Sequence, residues 1–272
     1  MKGSIQLLAK VYKEFKNLDD QLDYLHKEKN IYFQDRDLAK NILLDYNYYN
    51  LVSSGKIKFV VDISNNNHKY NPSQFEEWSR YFLDDCQVSE FLMNNLIEFE
   101  RIINSRTSFY VGELIEKELL SKKQHNEIAE IIINAKIENL DDYIGKETWK
   151  YISKMTFGNL KNILFWLLNS DKKTFNKIFS GYVFLQKGSI PQLKHRISDI
   201  VLLRNYLFHF TPLTLFLVYA TGKNGNYYNR FRIKIVNFIY DLKPNQDILR
   251  IMKTLTECSN SFIKIKNSHL SD

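Results

Sequence analysis

Along most of this chain apolar residues recur three and four positions apart, the spacing that lays one apolar stripe along an α-helix. The first such segment runs from Ile5 to Phe15. A second is expected from Asn17, a ready N-cap with Asp19 and Asp20 behind it, to about Lys29, turning Leu18, Leu22 and Leu25 inward. A third, Asp35 to Asp45, carries Leu38, Ala39, Ile42 and Leu43. Between Ser53 and Asn71 the pattern changes. Lys56 to Asp62, after Gly55, alternates and is β-branched, which predicts a short strand or extended arm, and Asn65-Asn66-Asn67 predicts a loop. Helical spacing resumes at Pro72 and Ser73 through Trp78, Tyr81 and Phe82, and a long central helix is expected from Val88 to about Leu120. Further helices are predicted at about Gln124 to Asn134, Phe157 to Asn169, Lys172 to Phe184, Ile190 to Phe210 and Gln246 to Ile265. Gly222 to Asn226 is a turn, while Arg230 to Ile235 fits a strand or a helix equally. The expected fold class is all-α, with room for a short β-hairpin or extended arm. One domain is expected over 1–272, with an N-terminal helical part over about 1–72 and a core over about 73–272.

Composition narrows the function classes. Hydrophobic residues make up 44% of the 272 and charged residues 25%, values of an ordinary folded domain and not of a disordered or fibrous chain. A net charge of +7 is compatible with a polyanionic partner such as RNA, although the lysines are scattered and not gathered in one arm. Cys86 and Cys258 stand far apart without metal-spaced partners, so neither a disulfide framework nor a zinc site is expected, and a reducing cytoplasm fits. The start of the chain lacks the apolar run of a signal peptide, and Phe208 to Ala220, interrupted by Pro212, is too short to span a bilayer. A membrane role is not expected.

Candidate chemistry centres on Arg204-Asn205-Tyr206-Leu207-Phe208-His209. Histidine both takes and gives a proton near neutrality, and arginine offers a permanent forked cation to a phosphate. On one helix, an arginine and a histidine five positions apart are separated by about 7.5 Å of rise and about 140° of rotation. One helix therefore cannot make the whole site, and two copies facing across a two-fold axis can. In such a homodimer one His209 withdraws the proton of a ribose 2′-hydroxyl and the other protonates the departing 5′-oxygen, while the two Arg204 side chains stabilise the phosphorane charge without a metal ion or cofactor. The products are a 2′,3′-cyclic phosphate and a 5′-hydroxyl. The bland alternative has His209 capping its helix before Pro212 and Arg204 pairing with a carboxylate such as Asp199.

Several separated motifs add to this segment. Asp20-Gln21-Leu22 and Leu25, then Leu38-Ala39 and Asn47-Tyr48-Tyr49, lie near the N-terminus; Glu100 and Arg106 flank Ile102-Ile103; Trp149-Lys150 precedes Thr156-Phe157-Gly158-Asn159-Leu160; Arg204-Asn205 and His209 come last. In order and spacing over roughly residues 18 to 210 this resembles the abortive-infection Abi family of bacterial phage-defence proteins (AbiD/AbiF-like), within the HEPN superfamily of helical RNases. After His209 the family often shows a second histidine and then an Asn-Arg pair, whereas here Phe210 follows and Asn229-Arg230 comes only after a long insertion. The resemblance implies a HEPN-type helical bundle with additional N-terminal helices, a toxin-type endoribonuclease, and a small structured non-coding RNA antitoxin as inhibitor.

On this basis Arg204 and His209 are the candidate catalytic residues, Asn205 supports them, and Glu100 either orients the catalytic histidine or pairs with Arg106 or another cation. His195 and Arg196 are candidates for contact with RNA phosphates. Tyr48, Tyr49 and Trp149 are expected to pack. The rival function is a non-catalytic helical module that binds RNA or a protein partner.

Overall fold

Asn17 does cap a helix: its side chain accepts the Asp20 N–H at 2.9 Å and opens α1 (Leu18–Lys29), whose Leu22 and Leu25 are buried. The computed structural model describes residues 16–63, 68–135, 147–219, 238–239 and 241–268. The expected helix Ile5 to Phe15, the Asn65–Asn67 loop, the Gly222 turn, Asn229-Arg230 and the segment Arg230 to Ile235 lie outside the described residues. Among those described the protein is all-α, with twelve helices and four strands of two or three residues. They form two compact units, the division falling after Phe82 inside one helix and after Ile263 inside another.

In the first unit α1 is followed by β1 (Ile31–Tyr32), α2 (Arg36–Tyr46) and α3 (Tyr48–Phe59). Asp35 caps α2 by accepting the Leu38 N–H at 2.9 Å, and Asn47, with φ of 65°, caps α3 by accepting the Tyr49 N–H at 2.8 Å. The strand foreseen after Gly55 begins only at β2 (Val60–Asp62), which pairs antiparallel with β3 (Lys69–Tyr70); residues 56–59 are helical. Gly55 is no turn. A Cβ there would lie 2.3 Å from Trp78 Cε3, so the glycine lets α3 close onto the indole, which stacks on Phe59 at 4.9 Å between centroids. β4 (Ser73–Gln74) pairs parallel with β1, and its Ser73 hydroxyl accepts the Trp78 indole N–H at 2.9 Å. Tyr48 is half-buried, and burial pushes its hydroxyl up to about 12, but Tyr49 is exposed, contrary to the packing expected of it.

The two helices expected between Ser73 and Leu120 are one. α4 (Phe75–Glu116) runs 42 residues, because no glycine or proline from Leu83 to Gln87 breaks the backbone. In the second unit it is followed by α5 (Lys122–Asn134), opened by a reciprocal cap between Ser121 and Gln124, α6 (Thr148–Ser153) and α7 (Phe157–Ser170). Nearly every apolar side chain of α7 is buried, so it is the central helix of this unit. Phe99 of α4 packs edge-on against Phe157, Tyr182 and Phe238, with centroids 4.9 to 5.7 Å apart.

The helix expected from Lys172 to Phe184 is split into α8 (Lys172–Ile178) and α9 (Val183–Gln186), because the chain turns at Gly181, whose φ of 93° suits glycine alone. α10 (Ile190–Phe208) starts with Pro191 in its first turn, and α11 (Leu213–Tyr219) and α12 (Gln246–Ser268) follow. Cys86 and Cys258 are not disulfide-bonded, and burial pushes the Cys86 thiol up to about 12. Among the described residues no helix is long and apolar enough to cross a membrane.

Candidate functional site

One face of α4, from Ile97 to its end at positions three and four apart, borders a groove of about 960 Å3. α6 forms a second wall through Trp149 and Ser153, and α10 contributes Arg204 and Phe208. The walls come close because Gly112 lies beneath α6, where a Cβ would stand 3.1 Å from Trp149 Cβ. Phe109 and Trp149 are 66% and 43% exposed, so the groove offers aromatic surface. Trp149 therefore packs less than expected, resting over a glycine at the rim.

Arg204 stands one turn before Phe208 on α10, so both side chains leave the helix on the same side. Its guanidinium carbon lies 4.3 Å from the Phe208 ring centroid. Nε–H donates to Glu100 Oε2 at 3.3 Å, and Nη1 donates to Asn205 Oδ1 at 3.4 Å. The other Glu100 oxygen accepts the Phe157 N–H at 3.0 Å, at the first turn of α7. One carboxylate thus joins α4, α7 and α10, and three sequence segments singled out separately meet on it. Two of the five guanidinium N–H groups are engaged, which leaves three without a protein acceptor among the described residues.

Arg204 does pair with a carboxylate, as the bland alternative has it, but with Glu100 and not with Asp199, the example it offered. Asp199 lies five positions back, about 140° round the helix. Nor does Glu100 pair with Arg106, which stands about 120° round α4 from it and donates to the carbonyls of Ile178 and Ser180 at 2.9 and 2.7 Å.

His209 is the C-cap of α10, as the capping alternative expects of its backbone: its N–H donates to the Asn205 and Tyr206 carbonyls, each at 3.2 Å. Its side chain is exposed, and the imidazole makes no hydrogen bond or ion pair among the described residues. Leu202, Asn205 and His209, at steps of three and four, share the exposed side of α10. The chain then turns through Phe210, whose φ is 53°.

What fixes that turn is a residue sequence reasoning missed. Asp85 of α4, fully buried, accepts the Leu213 and Thr214 N–H groups, both at 2.7 Å, together with the Thr214 and Ser89 hydroxyls. It caps α11 from a distance and anchors the chain four residues beyond His209. Burial pushes its carboxyl above the ordinary carboxylate range, against the pull of those donors. Its signal in the sequence is an acid on the apolar stripe Trp78, Tyr81, Val88 and Leu92.

The two basic residues offered for phosphate contact stand apart from the groove. His195 is exposed nine positions before Arg204, on the opposite side of α10. Arg196 donates to the Phe184 and Lys187 carbonyls with its carbon 4.7 Å from the Phe184 ring, an arrangement that fastens α9 to α10. Burial draws its guanidinium below the ordinary arginine value.

Compared with protein-family models, with curated proteins and with solved structures, the chain finds no match.

Proposed function

We propose that this chain is a cytoplasmic, HEPN-type endoribonuclease toxin of an abortive-infection or toxin–antitoxin system, active as a homodimer and independent of metal ions. The observation that carries the reading is the pairing of an Arg204 guanidinium with uncommitted donors beside a groove and, on the next turn, a solvent-facing His209 imidazole. Arg204 binds the scissile phosphate. One His209 takes the 2′-hydroxyl proton as the 2′-oxygen attacks phosphorus; the P–O5′ bond breaks, and the His209 of a second copy donates a proton to the leaving oxygen. The exposed stripe of Leu202, Asn205 and His209 supports a two-fold contact that brings two such sets together. Asn205 and Glu100 are positioning residues, since both hold the guanidinium. A small structured RNA that blocks the groove is the proposed restraint, on the strength of the family resemblance.

The test is incubation of the full chain with labelled RNA in EDTA. Wild type should release fragments ending in 2′,3′-cyclic phosphate, and His209→Ala should cut at least about 100-fold more slowly with an unchanged circular dichroism spectrum. An equally active His209→Ala variant sinks the assignment. The Glu100 ion pair already neutralises part of the Arg204 charge, which favours a second reading, a non-catalytic RNA-binding module; retention of RNA without scission by both proteins would select it.

A further inference from the structure

We propose that the exposed face of α8 grips the RNA sugar-phosphate backbone through Lys172, Lys173 and Lys177, beside the groove that holds Arg204. The inference rests on RNA being the ligand of this protein, not on its being cut. α8 is amphipathic over its whole length: Thr174, Phe175 and Ile178 are buried, while the three lysines and Asn176 are exposed. With Ser180 these four residues line a shallow depression of about 610 Å3 that contains no carboxylate. No ion pair engages any of the three ammonium groups among the described residues. The adjacent acid, Asp171, turns its oxygens to the Thr174 N–H and hydroxyl at 3.1 and 2.6 Å, so it caps the helix.

The position of this face relative to the groove gives it meaning. The Lys177 ammonium lies 5.4 Å from the ring centroid of Tyr110 on α4. Glu113, one turn on and part of the groove lining, bonds Lys117 at 2.6 Å; Lys117 first and Lys177 after it hold its carboxyl below the ordinary range. From Glu100 to Glu113 is about 20 Å along α4, so a strand with a phosphate at Arg204 reaches α8 within a few nucleotides. Lysines are compact point charges, so this contact positions RNA without reading its sequence.

The experiment measures binding of a fluorescent unpaired 20-nucleotide RNA by the full chain over a series of salt concentrations, in a His209→Ala background that leaves the RNA intact. Replacing Lys172, Lys173 and Lys177 together by Gln should weaken binding at least tenfold and reduce the slope of log K against log salt by about two, the value for three lost phosphate contacts on a single strand. A control triple with the same charge change, Lys122, Lys187 and Lys253 to Gln, should stay within about twofold of the parent. Unchanged affinity and slope in the α8 triple, an equal loss in the control, no RNA binding by the parent, or equal displacement by polyglutamate, which would mark an acidic-protein surface, each overturn the proposal. Loss of binding in the α8 triple alongside a wild type that never cuts RNA leaves this inference standing and removes the nuclease reading. Cleavage by wild type with an α8 triple that binds as before removes this inference alone.

Discussion

Glu100 and Arg204, 104 positions apart in the chain, share a 3.3 Å hydrogen bond, and the same carboxylate closes the first turn of α7 through the Phe157 N–H. Glu100→Gln keeps an acceptor for Phe157 but removes the charge that steers the guanidinium. It should slow RNA cleavage about tenfold and cost about 1 kcal/mol, whereas Glu100→Ala, which leaves both donors unmet, should cost about 2–3 kcal/mol. Urea unfolding midpoints compared with single-turnover cleavage rates check both numbers.

Arg204→Lys separates charge from shape. Lysine cannot donate to Glu100 and Asn205, lie flat on Phe208 and still present a fork to a phosphate. Cleavage should fall at least about tenfold although the formal charge is unchanged; a rate within twofold of wild type would mean that Arg204 acts only as a positive charge.

Asp85 predicts a pH dependence of stability. Its carboxyl is raised in the folded protein above the unfolded value of about 3.9, so the native state holds that proton more tightly. Its contribution is therefore fully present below the unfolded value and is lost as pH rises through the folded one. The difference in unfolding free energy between wild type and Asp85→Asn should shrink as pH rises from 4 to 7. Asp85→Ala strands two buried N–H groups at the start of α11 and should cost about 3 kcal/mol or more at any pH in that range. Because it also frees the segment after His209, it should slow cleavage beyond what the loss of folded protein explains.

Gly55→Ala tests the first unit. The new methyl meets the six-membered ring of a fully buried Trp78, and neither ring nor helix has free room, so about 1–3 kcal/mol of stability should be lost. Thermal denaturation read at the indole absorbance measures it, and a shift of under a degree would show that α3 can move away.

Much of this was legible in the chain. The cap at Asn17 was a chemical signal within one turn of the N–H it binds, and the helix it opens lies close to where apolar spacing puts it. Local signals fail where a partner distant in sequence decides. Lys56 to Phe59 read as the start of a strand but are helical, with α3 closing through Gly55 onto Trp78, and Lys172 to Phe184 reads as one helix although Gly181 takes a left-handed φ. At the site, residue types pointed to Arg204, Asn205 and His209 and the family resemblance to Glu100, but neither said who meets whom. Helix rotation disfavours Asp199 as the partner of Arg204, yet only the packing of α4 against α10 selects Glu100. Arg196 carries the same side chain as Arg204 and is engaged by carbonyls instead, a difference that the sequence does not encode locally.

Arg106 fastens the end of α8 to the middle of α4 through the Ile178 and Ser180 carbonyls. The helix that carries the lysine face is thereby tied to the same α4 whose Glu100 holds the arginine of the groove. If RNA is bound and cut as proposed, a strand seated on both should be measured as well as held: scission should fall a constant number of nucleotides from the segment lying on α8, whatever the bases between them, and sequencing of the cleavage products checks it.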